Sequence, residues 1–211
     1  MNYEISASIL GACELNLAGN ITKVAAHGIK RLHIDIMDGH YVDNISFGSS
    51  ILSKLCQHFP EMQLDVHLMV TCVENLVRQC LALGADSICF HPKVATNPKQ
   101  TIELIQAHGV SAGIVINPTD NIKDFAGLYN VIDEIIFMTV TPGACGQDFM
   151  AERLNTLMEL QEFYNGKITL DGGVKPEILP LLAPYTIQRL VVGSGLFSGN
   201  IADNIAKFAN H

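Results

Sequence analysis

The chain repeats one pattern eight times: a short run rich in β-branched residues, followed by a stretch with helical periodicity. Strands that alternate with helices form a parallel sheet, and eight parallel strands close into a (β/α)8, or TIM, barrel. We therefore predict an α/β fold with a single (β/α)8 barrel domain over residues 1–211. The predicted strands lie at residues 5–10, 31–37, 62–69, 87–91, 110–117, 134–140, 167–171 and 188–193, and the predicted helices at 14–27, 49–58, 73–83, 98–107, 120–129, 149–164, 176–183 and 200–210.

An open, doubly wound sheet is the alternative architecture. It usually has fewer strands and carries a glycine-rich fingerprint directly after the first one. Here the first strand is followed by Gly11-Ala12-Cys13, which does not match that fingerprint. The barrel is therefore the favoured prediction.

The composition excludes several classes of protein. A chain that is 48% hydrophobic and 16% charged is not disordered, and no apolar run approaches the roughly 18 residues of a membrane span. The net charge of −8 argues against nucleic acid or an anionic membrane as a partner. The six cysteines form no C-x-x-C pair, so we predict free thiols in a reducing compartment, the cytoplasm.

Polar and apolar side chains alternate along several of the predicted strands. His33 and Asp35 share one face of the second strand, and Asp65 and His67 share one face of the third. A parallel strand between helices normally reads as a continuous apolar run. We infer that the polar faces point towards the barrel axis. Because burying an unpaired charge is costly, these faces must meet each other, a metal or a ligand.

Four inward residues on the second, third and seventh strands lie towards the carboxyl ends of those strands, where barrel enzymes keep their active sites. They are His33, Asp35, His67 and Asp171. A mixed set of nitrogen and oxygen ligands suits Zn²⁺, Fe²⁺, Mn²⁺ or Co²⁺, and the composition does not choose among them. The alternative is that each is an interior residue satisfied by hydrogen bonds.

Glycine-rich loops follow the last three strands, where barrel enzymes often hold a phosphate group. Glycine lets backbone N–H groups approach an anion closely, although tight turns also explain single glycines. The loop residues are Gly143, Ala144, Cys145 and Gly146, then Gly172 and Gly173, then Gly193 and Ser194. Three inward methionines near strand ends, Met37, Met69 and Met138, either pack the core or shield a charged intermediate from water.

Five motifs match one known family in order along the chain: His33-Ile34-Asp35-Ile36-Met37-Asp38-Gly39, Asn44-Ile45-Ser46-Phe47-Gly48, Asp65-Val66-His67-Leu68-Met69, Asp171-Gly172-Gly173 and Gly193-Ser194. Through them the chain resembles the ribulose-phosphate 3-epimerase family from Ser8 to Phe197. The resemblance implies a (β/α)8 barrel of carbohydrate metabolism, in the pentose phosphate pathway. Its expected reaction is the interconversion of D-ribulose 5-phosphate and D-xylulose 5-phosphate.

The resemblance also implies roles for individual residues. His33, Asp35, His67 and Asp171 would bind one divalent metal ion per chain. Asp35 and Asp171 would act as the acid/base pair that moves the C3 proton through an enediolate. Ser8 and His67 would contact the substrate, and the late glycine loops would hold its phosphate. The expected partner is a small phosphorylated ketose, and we expect a homo-oligomer.

The chain departs from the family pattern at a few positions. Ala7 stands where the family usually has proline, Lys93 where glutamate is common, and Ala144-Cys145 where Phe-Gly is usual. None of these changes removes an expected metal ligand or acid/base residue. They leave D-allulose 6-phosphate open as an alternative substrate, and a catalytically inactive barrel with a binding role as an alternative function.

Two other enzyme classes are alternatives for a barrel with these residues. A Schiff-base aldolase needs an inward lysine at a strand end, and the sixth strand ends in Met138-Thr139-Val140 instead. A metal-dependent aldolase or phosphohydrolase uses the same types of ligand and stays open at this point.

Overall fold

The computed structural model describes residues 3–209, and their eight strands form one closed parallel barrel in sequential order. This confirms the predicted (β/α)8 fold. The strands are β1 (Glu4–Ser8), β2 (Arg31–Met37), β3 (Gln63–Met69), β4 (Ser87–Phe90), β5 (Ser111–Ile116), β6 (Glu134–Met138), β7 (Lys167–Asp171) and β8 (Arg189–Val192).

Within the described residues, eight α-helices surround the barrel. They are α1 (Leu17–Ala26), α2 (Ser50–His58), α3 (Val73–Ala82), α4 (Pro98–Ala107), α5 (Arg153–Phe163), α6 (Leu179–Leu182), α7 (Ser194–Phe197) and α8 (Ile201–Ala209). None of the helices in this part of the chain is long and apolar enough to cross a membrane.

The helix predicted at 120–129 is wrong. The structure has only a short 3-10 turn there, Ile122–Phe125, followed by further turns. The side chain of Asn121 accepts a hydrogen bond from the Lys123 N–H and closes this turn locally. Gly127 then disfavours continuation as a helix, because glycine costs about 1 kcal/mol in a helix interior relative to alanine.

The outer face of the barrel packs against the helices through apolar side chains. On β2, for example, Leu32 and Ile34 are fully buried and Ile36 nearly so, and they belong to one continuous hydrophobic core. Burial of each such side chain contributes roughly 1.5–3 kcal/mol. These outward residues therefore hold the strands in place and leave the inward residues free for other roles.

An ion-pair layer fills the lower interior, near the amino ends of the strands. Asp65 is its centre: Arg31 Nη1 lies 2.6 Å from Asp65 Oδ1, and Arg189 Nη1 lies 3.1 Å from Asp65 Oδ2. Ser6 and Ser87 also donate hydrogen bonds to this carboxylate. The layer contains three carboxylates and three cations in contact: Glu4, Asp65 and Glu134 with Arg31, Lys167 and Arg189.

Candidate active site

Four side chains from three strands converge above the ion-pair layer. His33 and Asp35 come from β2, His67 from β3 and Asp171 from the end of β7. One ligand atom from each of the four lies within 4.8 Å of all the others. His33, Asp35 and His67 are buried, whereas Asp171 retains some exposure at the barrel mouth. We call these four residues the His/Asp cluster.

Among the described residues, the His33 imidazole is buried without good hydrogen bonds. Within residues 3–209, neither of its ring nitrogens has a hydrogen-bond partner of good geometry, although the ring is buried. Its Nε2 lies 3.4 Å from Asp35 Oδ1 and 3.5 Å from Asp171 Oδ2. A buried polar nitrogen without a partner is costly, and a cation between these three atoms would satisfy it.

The electrostatics of the cluster also favour a cation. Burial lowers the pKa of His33, but the charge of Asp35 and the contact with Asp171 outweigh it and raise that pKa well above the ordinary value. Burial likewise raises the pKa of Asp35, but the charge of His33 and hydrogen bonding outweigh it and hold that pKa below its usual range. The two carboxylates thus attract positive charge, the two imidazoles offer nitrogen lone pairs, and this donor set suits a divalent transition metal.

Ser8 and Asp171 complete the polar lining of the cavity next to the histidines. The Ser8 hydroxyl donates a hydrogen bond of 2.9 Å to Asp35 Oδ2, the oxygen that does not face the histidines. Thr139 donates from its backbone N–H, at 2.8 Å, to the main-chain carbonyl of Asp171. Ser8 therefore orients the Asp35 carboxylate, whereas Asp171 Oδ2 lies 3.5 Å from both His33 Nε2 and His67 Nδ1. Both carboxylates line the cavity at the barrel mouth.

The glycine-rich loops after β6, β7 and β8 line the same cavity. Gly143 and Gly172 have φ of +119° and +118°, which side chains rarely adopt. A Cβ on Gly173 would come within 2.5 Å of the Phe149 nitrogen, so this loop needs glycine for close packing. Cys145 lies beside the last loop: a Cβ built on Gly193 would lie 3.0 Å from its Sγ.

The remaining predicted residues have equally defined places. The structure brings every predicted substrate-binding residue to the cavity wall: Ser8, His67, Gly143, Ala144, Cys145, Gly146, Gly172, Gly173, Gly193 and Ser194. Met37, Met69 and Met138 line the cavity too, and each is 2–3% exposed. They form an apolar wall directly beside the His/Asp cluster.

Sequence reasoning assigned no role to His91, which follows β4. Its Nε2 lies 3.0 Å from Nε2 of His67, and both rings are buried. Burial and the neighbouring His67 lower the pKa of His91 well below its ordinary value, so this imidazole is neutral. The signal was present in the sequence, because Ser87, Cys89 and His91 alternate along the predicted fourth strand as inward residues do.

Comparison with known proteins agrees with this geometry. The sequence model of the ribulose-phosphate 3-epimerase family matches residues 4–197. Ribulose-phosphate 3-epimerase of Buchnera aphidicola subsp. Acyrthosiphon pisum is 35% identical over 200 residues, 92% of this chain and 88% of that protein. The enzyme of the same name from Escherichia coli K12 is 34% identical over 200 residues, 92% of this chain and 89% of that protein.

Solved structures add support for the fold alone. 3-Keto-L-gulonate-6-phosphate decarboxylase from Vibrio cholerae superposes with a TM-score of 0.75 at 15% identity, covering 100% of this chain and 97% of that one. KGPDC from Streptococcus mutans superposes with a TM-score of 0.74 at 14% identity and the same coverage.

Proposed function

The chain belongs to the ribulose-phosphate 3-epimerase family, and on that premise we propose that it interconverts D-ribulose 5-phosphate and D-xylulose 5-phosphate. The observation that carries this proposal is the placement of two carboxylates, Asp35 and Asp171, in one cavity beside two histidines. Epimerisation at C3 needs a base on one face of the sugar and an acid on the other, and two carboxylates supply both.

The acidity of the C3 proton explains why the reaction uses two carboxylates. The C3 proton is adjacent to the C2 ketone, so its removal gives an enediolate. One of the two aspartates takes this proton, and the other delivers a proton to the opposite face, which inverts C3. Asp35 and Asp171 come from β2 and β7, three strands apart around the ring, so they approach the substrate from different sides.

We propose that His33, Asp35, His67 and Asp171 hold one divalent metal ion, with its identity among Zn²⁺, Fe²⁺, Mn²⁺ and Co²⁺ left open. When bound, such an ion supplies positive charge that stabilises the negative charge developing on the substrate oxygens. The unpartnered nitrogen of His33 supports this assignment among the described residues. Met37, Met69 and Met138 would keep water from the enediolate.

The phosphate of the substrate is proposed to bind at the glycine loops after β6, β7 and β8. In the loops after β6 and β7, the positive-φ residues Gly143, Gly146, Gly172 and Gly173 turn the backbone sharply at the cavity rim, which would bring main-chain N–H groups close to an anion. Binding energy at this remote group positions the reacting carbon.

The six cysteines are free thiols in the structure, which supports a reducing compartment such as the cytoplasm. We also propose that the protein forms a homo-oligomer, which the sedimentation of the purified protein tests directly.

A coupled assay on two sugar phosphates tests the proposed reaction. Purified protein, stripped with a chelator and then supplied with Zn²⁺, Fe²⁺, Mn²⁺ or Co²⁺, should epimerise D-ribulose 5-phosphate only when metal is present. The sugar without its phosphate should be a poor substrate. A clear preference for D-allulose 6-phosphate would replace the proposed substrate with the alternative, and inactivity towards both sugars would contradict an epimerase.

Changing Cys145 to glycine should leave kcat/KM within about tenfold, or roughly 1.4 kcal/mol of barrier. No non-glycine residue among those described has a positive φ, so the backbone at this position does not require glycine. The main-chain N–H is retained in either case. Kinetics on both sugar phosphates measure the effect, with Cys72→Ser as an exposed-thiol control away from the cavity. A much larger gain on D-ribulose 5-phosphate would show that the Cys145 thiol obstructs the pentulose.

A further inference from the structure

We infer that His91 is a positioning residue, which holds the His67 imidazole in the tautomer and orientation that bind the metal. This inference rests on the metal-binding part of the proposed function. It concerns a residue outside the His/Asp cluster and assigns it an effect on metal affinity that acts entirely through His67.

The contacts of His67 define which nitrogen does what. Its Nδ1 faces the carboxylates, 3.2 Å from Asp35 Oδ1 and 3.5 Å from Asp171 Oδ2. Its Nε2 points the other way, to Nε2 of His91 at 3.0 Å. The ring is fully buried, so water does not replace either contact. Nδ1 is therefore the nitrogen available to a metal, and Nε2 is the nitrogen that His91 controls.

The proton positions follow from this arrangement. A neutral imidazole has one N–H donor and one acceptor nitrogen. If Nδ1 of His67 offers its lone pair to a metal, the ring proton must be on Nε2. That N–H then donates to Nε2 of His91, which must be unprotonated, so His91 carries its proton on Nδ1. Metal-binding histidines are commonly fixed in this way by an acceptor on their second nitrogen.

His91 itself is held firmly enough to act as such an acceptor. The Tyr41 ring stacks against it with centroids 4.4 Å apart, and the Tyr41 hydroxyl accepts a hydrogen bond of 2.8 Å from Asn117. The loop that carries Tyr41 is tied down by Asp38, which accepts from the backbone N–H groups of Tyr41 and Thr71. Loops from β2, β3 and β5 therefore jointly fix the His91 ring.

A purely packing role does not account for a histidine here. Among residues 3–209, Nδ1 of His91 is buried without a hydrogen-bond partner, which an apolar side chain of similar size would avoid. A positioning role explains why a histidine is kept: its unpartnered Nδ1 costs stability, whereas its Nε2 provides the acceptor for His67.

Cobalt binding to the metal-free protein tests the inference, with the visible absorption of Co²⁺ and calorimetry as readouts. His91→Gln keeps an acceptor of nearly the same reach, whereas His91→Asn is one methylene shorter and His91→Phe has no acceptor. We expect His91→Asn and His91→Phe to lose about 10- to 100-fold in Co²⁺ affinity and His91→Gln to recover most of it. If circular dichroism shows that His91→Asn or His91→Phe does not fold, the other of these two variants tests the inference alone.

A second mutation shows whether the effect passes through His67. In a His67→Ala background, adding His91→Phe should change Co²⁺ affinity by less than about twofold, because the residue on which His91 acts is gone. Wild-type affinity in both His91→Asn and His91→Phe, or additive losses in the double variant, would overturn the inference while leaving the proposed function intact. Failure of the wild type to bind Co²⁺ would overturn both.

Discussion

Replacing either Asp35 or Asp171 by asparagine should lower turnover by roughly 10²- to 10⁴-fold, the range that acid–base catalysis contributes. The amide keeps the size of the carboxylate but neither accepts nor delivers the C3 proton. Because epimerisation needs a proton removed on one face and returned on the other, each change alone should be enough to cause this loss. Steady-state kinetics with metal-loaded protein measure the loss.

The controls for this prediction separate chemistry from binding. Asp43→Asn changes an exposed carboxylate in the loop after β2 and should leave turnover within about twofold. Metal content is measured in every variant, since both aspartates belong to the His/Asp cluster. In D₂O, the wild type should place deuterium at C3 of its product. Product without that label, or an active Asp171→Asn variant with full metal content, would contradict the two-carboxylate mechanism.

Replacing Asp65 by asparagine should lower the free energy of unfolding by about 3–5 kcal/mol, the cost of breaking a buried ion pair by removing one partner. Asp65 is 3% exposed and contacts Arg31 and Arg189 directly. Without its charge, the buried guanidinium of Arg189 and the half-buried guanidinium of Arg31 lose their central counter-ion. Urea denaturation followed by circular dichroism measures the change.

Glu4→Gln is the matched control for Asp65→Asn. Glu4 contacts the same two arginines, but its side chain is 43% exposed, and exposed ion pairs are worth only about 0–1 kcal/mol. An equal loss of stability in the two variants would mean that burial does not set the strength of this layer. A negligible loss in the free energy of unfolding for Asp65→Asn would contradict the central role of Asp65 in the ion-pair layer.

The fold was largely predictable because the alternation of apolar and polar residues can be seen within each strand by itself. Alternation within β2 identifies Leu32 as outward and His33 as inward without any knowledge of the neighbouring strands. The exception is the helix expected at 120–129, where Asn121 caps only a single 3-10 turn and Gly127 disfavours its continuation as a helix. Apolar periodicity does not show where such a turn stops.

The site was predictable only in part, because the position of an inward residue along the barrel axis depends on how neighbouring strands are staggered. The sequence of a single strand does not show that stagger. The sequence places Asp65 and His67 on the same face, yet the structure puts Asp65 in the ion-pair layer and His67 in the His/Asp cluster. Which inward polar residue joins the ion-pair layer and which joins the His/Asp cluster depends on the stagger between strands. The pairing of His67 with His91 depends on it too, since β3 and β4 align His67 with Cys89 rather than with His91.

The ion-pair layer has an evolutionary consequence. It lies at the end of the barrel remote from the mouth, so the interactions that resist unfolding are separate from those that select a substrate. Cys145 and Lys93, two positions at which this chain differs from the family pattern, both lie in loops beyond the carboxyl ends of strands. Substitutions in the loops at the barrel mouth can therefore accumulate without weakening the ion-pair layer. The preference for one sugar phosphate over another can change while the interior ion pairs stay the same.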